Sequence, residues 1–141
     1  MKGFLVFGDS IVYGAWDKEG GWVQRLRKFL EEKQEDVLVY NLGVSGDTTD
    51  SLLERFQAEA KARLKDSEGV IIISIGVNDS HLFKNKNCVP LEKFQQNIKR
   101  LVSLSKEISS KVIFVGLTPV DETKTTPIPW DKDRFYKNEY I

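Results

Sequence analysis

Four short apolar runs, each too uniformly hydrophobic to lie half in water, restrict what this chain can fold into. They are Phe4-Leu5-Val6-Phe7, Val37-Leu38-Val39-Tyr40, Val70-Ile71-Ile72-Ile73-Ser74-Ile75 and Val112-Ile113-Phe114-Val115-Gly116-Leu117. Runs of this length and composition suit strands buried on both faces, the condition of a parallel sheet. Between them the apolar residues switch to helical spacing. Trp22, Val23, Leu26, Phe29 and Leu30 form one stripe, which gives out in Glu31-Glu32-Lys33-Gln34. Leu52, Leu53, Phe56, Ala60 and Leu64 form a second, which Thr48, Thr49 or Asp50 can cap. Leu91, Phe94, Ile98, Leu101, Val102 and Ile108 form a third, with Pro90 placed for its first turn. Strands alternating with helices make βαβ units, whose crossovers place helices on both faces of a sheet. The expected fold is α/β with a parallel sheet, in one domain over residues 1–141. The segment up to Pro129 reads as loop, and a last helix is expected from Trp130 onward. Sheets of this kind usually carry five strands. With four runs in hand, the sheet is expected to stop before a fifth strand and the domain to be incomplete at its C-terminal end.

Chemistry-bearing residues collect where the first three runs end. The first breaks into Gly8-Asp9-Ser10-Ile11, the second leads to Ser45-Gly46-Asp47, and the third to Gly76-Val77-Asn78-Asp79. In a parallel sheet these three loops share the carboxyl edge, where ligands bind in open α/β folds. Acyl transfer needs a nucleophile and donors for the developing oxyanion. Ser10 supplies a hydroxyl and its own backbone N–H, Gly46 an N–H that no side chain screens, and Asn78 a side-chain amide. Each residue also has a plainer reading: Ser10 as a helix cap, Gly46 as a turn glycine, Asn78 as a strand-end turn residue followed by a capping Asp79. Asp9 reads as a loop-holding hydrogen-bond acceptor. His81 reads as a solvated loop residue, with a substitute base role the less favoured alternative. Cys88 reads as a small packing residue, Trp130 as packing on the sheet or lining the pocket rim, and the acids at 121, 122, 131 and 133 as solvated charge.

Charge and composition close off other classes. Lys plus Arg and Asp plus Glu both number 21, so the net charge is zero and nucleic acid is not expected as a partner. No apolar run approaches the ~20 residues of a bilayer span. No signal-type segment precedes the first run, and the single Cys88 cannot pair internally, so a cytoplasmic setting is expected. No His/Cys spacing supports zinc, and no cofactor or metal is expected. A strand followed by Gly-x-Ser could instead cradle a phosphate or flavin at a helix start. Against this, the G-x-G-x-x-G and G-x-x-x-x-G-K-[ST] patterns are missing and Asp9 would repel an anion. A receiver-like domain with Asp9 as phospho-acceptor is a third reading.

Taken together, Gly8-Asp9-Ser10-Ile11, Ser45-Gly46-Asp47 and Gly76-Val77-Asn78-Asp79 resemble, in order and spacing, the first three sequence blocks of the SGNH (GDSL-type) hydrolases. The resemblance implies a flavodoxin-like three-layer α/β/α fold and hydrolysis of a small acyl ester or thioester. It implies Ser10 as nucleophile, with the N–H groups of Ser10 and Gly46 and the Asn78 amide as the oxyanion hole. Ile11 stands where that family usually has Leu. The family's Asp-x-x-His block is not found in these 141 residues; the position three before His81 is Asn78. The chain is therefore expected to be the front portion of a longer hydrolase, with little activity by itself.

Overall fold

A computed structural model describes residues 2–33, 36–64 and 68–141, so Gln34, expected at a helix end, lies outside the described residues. In chain order the elements are β1 (Lys2–Gly8), α1 (Ser10–Tyr13), α2 (Gly21–Lys33), β2 (Val37–Gly43), α3 (Thr49–Leu64), β3 (Gly69–Ser74) and α4 (Val77–Ser80). There follow β4 (Leu82–Phe83), β5 (Lys86–Asn87), α5 (Leu91–Ile108), β6 (Lys111–Phe114), α6 (Glu122–Thr125), β7 (Arg134–Phe135) and a 3₁₀ turn at Asn138–Tyr140. The four apolar runs become one sheet in the order β2-β1-β3-β6, every pair parallel.

Strand alternation then sorts the core into two layers. Leu5, Phe7, Ile71 and Ile73 face Leu52, Phe56, Ala60 and Leu64 of α3 and Leu101 of α5. Val6, Val39, Val70 and Ile72 face the other way, against Val12 and Val23, with Trp22, Leu26 and Leu30 of α2 packed at the side. Helix, sheet and helix make three layers, as expected. Phe7 and Phe56 meet with ring centroids 4.8 Å apart, joining the central strand to α3.

The second half departs from expectation in ways that pattern alone does not carry. No long helix starts at Trp130. Instead Ile128 bridges to Asp131, β7 follows, and β7 pairs antiparallel with β4, which also pairs with β5. These strands are two residues long, too short to show a period. The expected loop before Pro129 includes the single turn α6, capped by the Asp121 carboxylate on the Thr123 N–H. The strand expected over Val112–Leu117 ends at Phe114, and Ile113, Phe114 and Val115 stay exposed along that edge. Trp130 is exposed, and Cys88 is an exposed thiol rather than a packing residue. Among the described residues no helix is long and apolar enough to cross a membrane.

Candidate active site

The sheet register puts the three expected loops at one level. Gly8 of β1 pairs with Gly43 of β2 on one side and with Ser74 of β3 on the other. Ser10, Gly46 and Asn78 therefore all leave from the same edge within a few residues. Cross-links then hold the loops together. Val44 N–H donates to the Gly8 carbonyl (3.0 Å), and Asn78 Nδ2 donates to the Asp47 carbonyl (2.9 Å). Asn78 thus spends one amide hydrogen on the neighbouring loop and keeps the other.

Ser10 opens α1 but does not cap it. The cap is Asp9, whose carboxylate accepts from Ile11 N–H at 2.9 Å, as the loop-holding reading required. The Ser10 N–H, first in its helix, has no intrahelical partner. Among the described residues no hydrogen bond uses the Ser10 hydroxyl, and the residue is half-buried. Gly46 is exposed at φ +86°, and a Cβ there would meet nothing within 4 Å. Glycine is needed there for its backbone conformation, not for space. Ile11, Tyr13 and Trp16, which follow Ser10 closely in the chain, are exposed.

Three buried carboxylates, Asp9, Asp47 and Asp79, belong to these loops. Burial raises Asp9 above the ordinary carboxylate value against its hydrogen bond from Ile11, and the charges of Asp79 and Asp47 add to the rise. Asp79 is fully buried, and burial raises its carboxyl too, although hydrogen bonds from Thr49 oppose this. It accepts from Thr49 N–H at 3.0 Å and from Thr49 Oγ1 at 2.5 Å, so it caps α3 from another loop instead of its own helix. Asn97 of α5 completes the knot, donating to Thr49 Oγ1 (2.9 Å) and to Asp50 (2.8 Å).

Asp47 is held by Arg55 of α3, a residue that no motif in the sequence singles out. Arg55 Nε lies 2.8 Å and Nη2 2.7 Å from Asp47 Oδ2. The same Nη2 reaches the carbonyls of Leu42 (2.9 Å) and Gly8 (3.3 Å), and Nη1 reaches Glu59 (3.0 Å). One guanidinium therefore joins the ends of β1 and β2 to the loop that carries Gly46. The signal available in the sequence is an Arg eight residues after Asp47, on the polar edge of an otherwise apolar stripe.

His81 is buried, not solvated, and its ring stacks on Tyr136 (centroids 5.2 Å apart, planes at 22°). Its Nε2 is buried without a hydrogen-bond partner. Burial lowers its pKa, with the nearby Arg134 charge acting in the same direction and Asp131 against it. A cavity of about 330 Å³ opens beside the loops, and its lining includes Asp9, Ile11, Val77, Ser80 and Tyr136. Among the described residues no group of three or more His, Cys, Asp or Glu could hold a metal ion.

A three-layer parallel α/β sheet with a serine, a left-handed glycine and an asparagine on adjacent loops of its carboxyl edge defines a recognisable class. The model of the GDSL-like lipase/acylhydrolase family matches residues 6–140, and the chain belongs to that family. It is 28% identical over 133 residues to a GDSL esterase/lipase of Arabidopsis thaliana, a match over 89% of this chain and 54% of the relative. It is 30% identical over 114 residues to an arylesterase of Vibrio mimicus, over 80% of this chain and 53% of the relative. Among solved structures it is similar to TesA (TM-score 0.70, 28% identity, 83% of this chain and 62% of that one). A lipase/acylhydrolase from Enterococcus faecalis gives TM-score 0.69 at 28% identity, over 92% of this chain and 64% of that one. The chain spans about half the length of the two relatives matched by sequence.

Proposed function

We propose that residues 1–141 form one hydrolase domain that cleaves a small acyl ester or thioester through Ser10. The Ser10 Oγ adds to the ester carbonyl as its proton passes to solvent water, giving a tetrahedral oxyanion. The N–H groups of Ser10 and Gly46 and the uncommitted hydrogen of Asn78 Nδ2 receive that oxyanion. The C–O or C–S bond then breaks and the leaving oxygen or sulfur takes a proton from water; a second water adds to the acyl carbonyl, the bond to Ser10 Oγ breaks with return of a proton to Oγ, and the carboxylic acid is released. The observation that carries this reading is the cross-linked register: Gly8 beside both Gly43 and Ser74, with Asn78 Nδ2 2.9 Å from the Asp47 carbonyl. The names of the relatives, an arylesterase and a GDSL esterase/lipase, agree with ester substrates. The exposed free thiol of Cys88 suits a reducing, cytoplasmic compartment.

His81 is stacked against Tyr136, and its Nε2 is buried. It is poorly placed to take the Ser10 proton. The expected rate of the 141-residue chain is then what oxyanion donors and binding alone sustain, roughly 10³- to 10⁴-fold over water. The test is p-nitrophenyl butyrate hydrolysis by the protein and by Ser10→Ala, with and without added imidazole as a soluble base, followed by mass analysis of Ser10. Ser10-dependent release that imidazole accelerates, with an acyl or phosphonyl adduct on Ser10, is expected. Equal rates in both proteins and an unmodified Ser10 would overturn the assignment.

A further inference from the structure

The single turn α4 cannot hold its own orientation. It has four residues, and Gly76 at its cap position makes no side-chain hydrogen bond to the first N–H groups. Helices this short are not stable by themselves, so tertiary bonds decide where Asn78 points. The tertiary side-chain bonds of Asn78 and Asp79 run to one short segment, residues 47–49. Asn78 Nδ2 donates to the Asp47 carbonyl (2.9 Å). The Asp79 carboxylate accepts from Thr49 N–H (3.0 and 3.1 Å to its two oxygens) and from the Thr49 hydroxyl. Gly46 immediately precedes that segment. Both donor loops are therefore referenced to the same residues, and whatever fixes Thr49 fixes Asp79 and its neighbour Asn78.

We propose that Asn97 of α5 is the positioning residue for the Asn78 amide and acts through Thr49 and Asp79, an inference that rests on Ser10 being the nucleophile and Asn78 an oxyanion donor. Asn97 is buried on the helix face that also buries Leu101 and Ser105. An amide on such a face is costly unless its hydrogens are used. Both are used: Nδ2 donates to Thr49 Oγ1 (2.9 Å) and to Asp50 Oδ1 (2.8 Å). An amide nitrogen only donates, so Thr49 Oγ1 accepts there, and its own proton is left for Asp79 Oδ1. Asn97 thus sets the direction of the Thr49 hydroxyl, and that hydroxyl holds the residue beside Asn78. No step of ester cleavage touches Asn97 itself.

The kinetic signature follows from when the donor acts. An oxyanion donor meets charge that develops only in the transition state, so misplacing it lowers kcat and leaves KM where it was. Removing such a donor outright costs roughly 100- to 1000-fold. Breaking the link from Asn97 to Thr49 leaves the donor present but loosely aimed, which should cost about 10- to 100-fold in kcat.

The experiment measures kcat and KM for the Ser10-dependent part of p-nitrophenyl butyrate hydrolysis, with imidazole present throughout, in the protein and in Asn97→Leu, Thr49→Val and Thr49→Ser, each well below its melting temperature. Asn97→Leu and Thr49→Val keep the outlines of these side chains and lose the link, whereas Thr49→Ser keeps the hydroxyl. The first two are expected to lose about 10- to 100-fold in kcat with KM within about twofold, and Thr49→Ser to keep kcat within about threefold. Amide NMR reads the same variants without turnover, through the Asn78 side-chain amide pair identified by its loss in Asn78→Ala. That pair should shift in Asn97→Leu and Thr49→Val and hold its place in Thr49→Ser. Unchanged kcat, a loss carried by KM, an equal loss in Thr49→Ser, or an amide pair that does not move in the link-breaking variants would each overturn the proposal. If Asn97→Leu does not fold, Thr49→Val alone decides. If Ser10→Ala proves as fast as the unaltered protein, the nucleophile assignment fails, and the amide pair alone decides whether Asn97 positions Asn78.

Discussion

Arg55→Ala should remove the brace that holds the Gly46 loop to the sheet, and its cost follows from the bonds that guanidinium makes. The Arg55 side chain is 19% exposed and that of Asp47 10%, so water screens this pair only partly. Hydrogen bonds to charged groups contribute about 1.5–3 kcal/mol each, less where solvent reaches them. Stranding one partner of a fully buried pair costs about 3–5 kcal/mol. For this partly exposed site the lower end applies, about 3 kcal/mol. In a chain of this size 1 kcal/mol moves Tm by about 3 °C, so Tm should fall by about 9 °C. Because the stranded charge on Asp47 carries much of the cost, the double variant Arg55→Ala with Asp47→Asn should be about 1–2 kcal/mol more stable than additivity allows. Ser10-dependent ester release should fall in Arg55→Ala even well below its melting temperature, since the Gly46 donor loses its anchor. The assay is thermal melting and urea unfolding of the four proteins of the cycle. A Tm change under about 3 °C, or strict additivity, would refute the clamp.

Gly46→Ala meets no neighbour but forces φ +86° on a side chain, so it should cost about 1–2 kcal/mol in urea unfolding, with Gly46→Asn milder. Asn78→Ala should lower Ser10-dependent turnover roughly 100- to 1000-fold, measured at saturating p-nitrophenyl butyrate, while costing only about 1 kcal/mol of stability. Asp9 and Asp79 have folded pKa values above the unfolded 3.8, so the folded state holds their protons more tightly. Their contribution to stability is fully present below pH 3.8 and is lost as pH rises through the raised folded values. Urea midpoints measured in steps upward from pH 3.8 should therefore fall less steeply with pH in Asp79→Asn than in the unaltered protein. Parallel curves would contradict the raised Asp79 carboxyl.

Some of the site is legible in the sequence because local pattern and topology suffice to place it. Val70–Ile73 can be nothing but a buried strand. Once four such runs are parallel, Ser10, Gly46 and Asn78 must share an edge whatever the details. The plainer reading of Ser10 as a cap loses to Asp9, which sits one residue earlier and reaches the Ile11 N–H first. The burial of His81 is not legible, because it comes from Tyr136, 55 positions later, which follows β7 as that strand folds back against β4. No window around His81 contains that information.

The sequence by itself determined the parallel sheet, its helical layers and the level at which three polar loops emerge, because apolar period and strand length are local properties that burial enforces. Only the tertiary structure decided which side chains meet above that sheet: Arg55 with Asp47, Asp79 with Thr49, and His81 with Tyr136. Those pairings depend on distances between separate segments of the chain, set by how the layers pack.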